Sequence, residues 1–391
     1  MQIRVAERIA SLPPYLFAQI DKRKAEARRR GADLISFGIG DPDLPTPAHI
    51  VQTGQAAMAD PANHRYPDYE GMPAFREAVC RWYERRFGVR GLDPDRECVS
   101  LIGSKEGIAH VSLALLEPGD VALCPDPGYP VYSVGARFAG ATPWYVPLDP
   151  ENGFLPDLDA IPADVRRRAK VLWLNYPNNP TGAVADLDFW KRVVEFALAN
   201  GIVVLSDNAY SEIAFDGYRP PSFLEAPGAR EVGAEFHSLS KTYNMTGWRV
   251  GSLVGNETIV QALGKVKTNV DSGIFQAVQV AAIAALDGDT ACVDANNEIY
   301  RRRRDVLVEG LRAMGWDAAP MKATFYLWVR TPKGLGSMEV VERLIEEAAV
   351  VATPGVGFGL GGHGEGWIRF ALTTSEERTR EAVERMKRIR W

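Results

Sequence analysis

The sequence predicts an α/β fold: a large unit built on a mostly parallel sheet between helices, followed by a smaller α+β unit. Three observations carry this. Amphipathic helix-like stretches alternate with short β-branched runs from about residue 73 onward. Each run is strand-length, and several close on polar, Gly or Pro residues. After about residue 286 the order becomes a long helix, two separated strands and closing helices.

In chain order, residues 73–88 place Phe75, Val79, Trp82 and Tyr83 at helical spacing. Strand-like runs follow at 99–102, 121–124, 170–176, 201–207 and 235–241, with a helix-like segment at 186–199. The last part reads as a helix at 294–314 and strands at 324–330 and 367–372. The expected organisation is an N-terminal arm, 1–45, joining the small domain; a large domain, 46–285; and a C-terminal small domain, 286–391. Ligands in open α/β sheets bind beyond the carboxyl ends of the strands. The polar residues closing the runs are therefore the place to look for chemistry.

Composition narrows the classes. Of 391 residues, 46% are hydrophobic and 24% charged, which permits a large buried core. Forty-five basic against fifty acidic side chains leave a charge of −5, so no nucleic-acid partner is expected. Arg28 to Arg30 and Arg301 to Arg304 read as solvated helix faces rather than phosphate patches. No apolar run approaches the ~20 residues that span a bilayer, and no signal peptide is evident. Cys80, Cys98, Cys124 and Cys292 are scattered, which fits a reducing cytoplasm, and the five dispersed histidines suggest no metal site.

Four segments carry chemistry. In Ser238-Leu-Ser240-Lys241, followed by Arg249, a lysine at a strand end suits an aldehyde cofactor that it would bind as an imine. The serines and the arginine would take phosphate oxygens. A surface lysine in a hydroxyl-rich loop is the plain alternative. Asp207, closing the 201–207 run, would keep the ring nitrogen of pyridoxal phosphate (PLP) protonated, with Tyr210 on the ring's phenolate oxygen. A helix N-cap is the competing role for Asp207. Asn179, in a Pro/Gly turn, would reach the same oxygen. Arg369 sits in the apolar stretch Trp367 to Leu372, where burial is costly without a partner. A substrate carboxylate would be that partner, and a structural salt bridge is the alternative. Gly357 to Gly362 matches Gly-x-Gly-x-x-Gly but leads into a strand, so it reads as a mobile loop rather than a dinucleotide site.

Together, in this order along the chain, Asn179, Asp207, Tyr210, Lys241, Arg249 and Arg369 resemble the fold-type I, class I/II PLP-dependent aminotransferases. That resemblance spans nearly the whole chain. It implies phosphate contacts from Ser104, Lys105, Ser238 and Ser240, and Tyr129 stacked on the cofactor ring. It implies a substrate-side glycine segment around Gly40, and Tyr66 reaching the site of a second subunit in a homodimer. Amino and 2-oxo acids are the implied substrates. The segments beginning at Leu12, Gly38, Ile102 and Phe236 are similar to the branch of the family that acts on LL-2,6-diaminopimelate with 2-oxoglutarate. Tyr15 and Lys105 are then candidates for the far end of that substrate. Alanine, aspartate and aromatic amino acids are the alternative donors, another PLP reaction is an alternative chemistry, and a sensor domain is the non-enzymatic alternative.

Overall fold

The computed structural model describes residues 3–10, 12 and 17–391. Its strands are β1 (Ile35–Ser36), β2 (Cys98–Leu101), β3 (Val121–Asp126), β4 (Thr142–Pro147), β5 (Ala169–Leu174), β6 (Val203–Asp207), β7 (Gly233–Ser238), β8 (Gly251–Gly255), β9 (Tyr326–Arg330), β10 (Val350–Val351), β11 (Thr353–Pro354) and β12 (Trp367–Ala371). Seven of them form one sheet in the order β2-β8-β7-β6-β5-β3-β4. Pairing is parallel from β7 to β4, while β8 runs antiparallel to both neighbours.

Residues alternate across the sheet with the two-residue period of a strand. Val121 and Leu123 enter one hydrophobic core, and Ala122 and Cys124 the opposite one. Leu172 and Leu174 likewise face the first core, with Val171 and Trp173 in the second. A parallel sheet covered by helices on both faces explains why its strands read as continuous apolar runs. The helix Pro73–Phe87 buries Phe75, Val79, Trp82 and Tyr83, and Leu187–Asn200 buries Phe189, Trp190 and Val193.

A third core gathers β9, β12 and the helices Ala291–Ala313, Ser337–Ala348 and Glu376–Met386, together with Ile35 and Phe37. β12 pairs antiparallel with β9 and β11, and β1 pairs parallel with β10. One expectation fails here. Arg303 and Arg304 are buried, not solvated: Arg303 forms a two-pronged pair with Asp43 at 2.7 and 2.8 Å, and Arg304 binds Asp216 at 2.6 Å. The Asp43 pair ties the long helix to the segment that carries Gly40.

Candidate active site

A cavity of about 720 Å³ opens beyond the carboxyl ends of β5, β6 and β7 and is bounded on its other side by β12 and the segment after β1. Twelve predicted residues line it: Gly40, Ser104, Lys105, Tyr129, Asn179, Asp207, Tyr210, Ser238, Ser240, Lys241, Arg249 and Arg369. Tyr66 stands apart, 89% exposed on the surface. Tyr15 lies outside the described residues.

Lys241 does not extend a strand as expected. β7 stops at Ser238, whose side chain accepts the Ser240 N–H and caps the short helix Leu239–Thr242. The turn swings Lys241 into the cavity, where Nζ donates to the Gly40 carbonyl at 2.7 Å. Burial pulls its pKa down to about 8; Asp41 opposes this, while Arg249 and Arg369 add to it. An amine in that range exchanges its proton near neutral pH. A Cβ on Gly40 would overlap the Tyr326 hydroxyl, so a side chain there would have to displace that ring.

Two buried carboxylates in adjacent strands show what a satisfied acid looks like and what an unsatisfied one does. Glu235 accepts from Ser222 Oγ, Phe223 N, Ser206 Oγ, Asn208 Nδ2 and Tyr83 OH at 2.6 to 3.1 Å. Asp207 has one side-chain donor, the Tyr132 hydroxyl on Oδ2 at 2.7 Å, and its Oδ1 has no partner among the described residues. Burial raises the Asp207 carboxyl to about 6, against the pull of Tyr132. No helix begins at Asp207, so the N-cap role is excluded. A buried carboxylate oxygen without a donor, on a residue lining the cavity, fits the protonated nitrogen of a pyridine ring.

Arg369 is equally incomplete. It is 6% exposed, Nη1 donates to Asn179 Oδ1 and Nη2 to the Gly38 carbonyl, both at 2.8 Å, and Nε has no partner among the described residues. No carboxylate among them pairs with it either, so the structural salt bridge is absent there. Tyr326 and Phe358 lie 4.3 and 4.5 Å from its guanidinium carbon, and burial lowers its pKa. Asn179 accepts through Oδ1, which leaves its amide nitrogen as a donor. Tyr210 shares a hydrogen bond with Tyr326 at 3.1 Å.

The remaining wall suits an anion. Gly103, with φ of +71°, leads into the helix Ser104–Leu115, whose first turn therefore faces the cavity. A Cβ on Gly103 would overlap the Arg249 guanidinium. Arg249 itself adopts φ of +55°, a costly backbone for a non-glycine residue, and Nη1 is held by the Thr246 carbonyl at 2.9 Å. Ser238 and Ser240 complete this end.

Sequence reasoning missed three contributors, Tyr132, Tyr326 and Phe358, and gave no role to Asn175, one of the polar residues closing the 170–176 run. Tyr132 lies three residues after Tyr129 in the same motif, and only the fold shows that it meets Asp207. Asn175 holds the Asp207 carbonyl through Nδ2 at 2.6 Å. Tyr326 comes from the third core and Phe358 from the glycine-rich loop. Tyr326 begins an apolar strand and Phe358 stands between two glycines, so neither setting gives a sign of a site.

The family described as Aminotransferase class I and II matches residues 32–386, and the chain belongs to it. The family's enzymes use PLP. An LL-diaminopimelate aminotransferase of Moorella thermoacetica is 56% identical over 384 residues, covering 98% of each chain. Another, from Desulforudis audaxviator, is 58% identical over 382 residues, covering 98% of this chain and 97% of the relative. Among solved structures, substrate-bound BacF from Bacillus subtilis superposes with a TM-score of 0.94 at 39% identity, covering 99% of this chain and 98% of that one.

Proposed function

We propose that this aminotransferase binds PLP through Lys241 and moves the amino group of LL-2,6-diaminopimelate to 2-oxoglutarate. The observation that carries the cofactor assignment is the meeting, in one cavity, of a lysine with a lowered pKa and a buried carboxylate oxygen that lacks a donor. The substrate assignment is supported by full-length relatives that bear that activity in their names.

Bound PLP supplies an electron sink for the charge left on the α-carbon. Asp207 Oδ1 would hold the ring nitrogen's proton, with Tyr132 holding the other carboxylate oxygen and Asn175 the Asp207 backbone carbonyl. Asn179 Nδ2 and the Tyr210 hydroxyl would donate to the ring's phenolate oxygen. The first turn of Ser104–Leu115, Ser238, Ser240 and Arg249 would take the phosphate, with Lys105 near the mouth. Arg369 would clamp the α-carboxylate of either substrate, orienting the α-hydrogen. Lys241 Nζ would take that proton and return it, as general base and then acid. Tyr129 would pack on the ring. Tyr66, with exposed Tyr69 three residues on and exposed Phe275 next to the Gln276 that donates to the Arg65 carbonyl, would serve a second subunit in a cytoplasmic homodimer.

The test is an amino-donor panel with 2-oxoglutarate, run on the wild type and Lys241→Ala. The expected results are turnover of LL-diaminopimelate by the wild type, and loss of both turnover and the visible band of lysine-bound cofactor in the variant. Activity on alanine or aspartate with none on diaminopimelate would overturn the substrate. Persistence of the band in the variant would overturn the role of Lys241.

A further inference from the structure

The glycine-rich loop matching Gly-x-Gly-x-x-Gly gives the site only the Phe358 ring, yet it is strongly held. Six of the ten residues 355–364 are glycine, and such a chain loses much conformational freedom on ordering. It is folded tightly on itself: a Cβ on Gly355 or Gly359 would overlap the backbone of Gly364. Its anchor is Asp126, the last residue of β3, whose side chain is 1% exposed. Asp126 Oδ1 accepts the Gly361 N–H at 3.1 Å. Oδ2 accepts the His363 N–H at 3.2 Å and meets His363 Nδ1 at 2.7 Å. Two residues further along the same motif, Gly128 N donates to the Phe358 carbonyl at 3.0 Å. The loop is thus fastened to the end of the large sheet at both of its shoulders. At one of them Phe358 places its ring against Arg369.

We propose that Asp126 is a positioning residue for the substrate-carboxylate site. By fixing the glycine-rich loop, it sets the Phe358 ring against the Arg369 guanidinium and so fixes the fork that receives the carboxylate. Asp126 touches neither substrate nor cofactor, and it acts on binding rather than on proton transfer. A carboxylate suits this task because its two oxygens accept three donors at once, and a rigid strand end leaves the loop no room to drift.

The inference rests on the proposed function, and single-turnover half-reactions of the PLP-loaded enzyme with LL-diaminopimelate separate the two. In Asp126→Ala, the donor Kd should rise about tenfold or more, the scale of one lost charge-assisted hydrogen bond. The limiting rate should stay within about threefold, since the reacting groups are untouched. Gly361→Ala attacks the same contact from the other side, because its Cβ would lie 2.6 Å from Asp126 Oδ2. It should raise Kd similarly, and the double variant should bind no worse than Asp126→Ala alone. Hydrogen exchange across residues 355–364 should quicken in both variants. Should Asp126→Ala fail to fold, Gly361→Ala carries the same test. An unchanged Kd in the variants, a loss confined to the limiting rate, or additive effects in the double variant would overturn the role of Asp126. A wild type that turns over no amino acid would instead overturn the proposed function.

Discussion

Replacing Asp207 by asparagine should stabilise the protein without its cofactor while crippling the loaded enzyme. Burial raises the Asp207 carboxyl from 3.8 to about 6 in the folded chain. The folded state therefore binds this proton more tightly than the unfolded state. Ionisation costs nothing below about pH 4, the cost grows between about pH 4 and 6, and it is fully present above that window. A carboxyl moved that far destabilises the fold by about 3 kcal/mol once ionised. The amide of Asp207→Asn retains an oxygen for the Tyr132 hydroxyl and carries no charge, so the variant escapes the penalty. Unfolding entropy scales with chain length, so about 3 kcal/mol in a chain of this size is a rise of about 4 °C in Tm. The assay is a thermal melt of cofactor-free wild type and variant at steps from about pH 4 to 8, spanning the window in which the cost grows. The two curves should converge at the acid end and separate as pH rises. With PLP added the order should reverse, because an amide cannot pair with a protonated ring nitrogen. Its kcat/KM should fall by about 10² or more, the scale of breaking one buried charge pair. Equal melting temperatures for the cofactor-free proteins across the whole range would refute the argument that Asp207 carries an uncompensated charge.

Two further outcomes follow from the same contrast between satisfied and unsatisfied groups. Arg369→Lys replaces a planar fork by a point charge that cannot serve a carboxylate in two-pronged fashion, so kcat/KM measured under steady state should fall about 10²-fold or more while bound cofactor, read by absorbance, is retained. Glu235→Gln should do the reverse. It presents an amide to donors such as the Phe223 N–H, so denaturant unfolding should show a loss of about 1–3 kcal/mol, with the spectrum of the loaded enzyme unchanged.

The fold was legible because a covered parallel sheet writes itself as apolar runs. Val121 to Cys124 and Val171 to Leu174 are buried on both faces, so neither a polar alternation nor a helical period disturbs them. β8 escaped notice for the opposite reason: Gly251-Ser-Leu-Val-Gly255 is short and glycine-bounded, and only the Leu253 and Val254 contacts to both cores mark it as central. The candidate site was legible where a polar residue closed a run, as with Asp207. It was not legible where an apolar strand or the glycine-rich loop supplied the group, as with Tyr326 and Phe358. Nor could the chain's linear order show that Arg303 and Arg304, in a run of four arginines, turn inward to Asp43 and Asp216 while Arg301 and Arg302 do not.

The charges in the cavity share one energetic logic. Among the described residues, five cationic side chains line it, Lys24, Lys105, Lys241, Arg249 and Arg369, against three carboxylates, Asp21, Asp41 and Asp207. Lys24 and Asp21 neutralise each other at 2.9 Å. That leaves four cations against two anions, and the excess lies where a phosphate and a substrate carboxylate would bind. Holding such charges unpaired in a partly dehydrated cavity lowers stability, and burial shifts Lys241, Asp207 and Arg369 toward their neutral forms. The same groups are preorganised: Asn175 and Tyr132 hold Asp207, and Asn179 and the Gly38 carbonyl hold Arg369. They need no rearrangement to meet an anionic ligand, so the cost they carry in the fold would return as affinity and as stabilisation of charge during reaction. A structural ion network would have satisfied these groups internally, as five donors satisfy Glu235. Asp207, one strand away in the same sheet, differs from that acid in keeping one buried oxygen without a donor among the described residues, which is the opening a ligand would need.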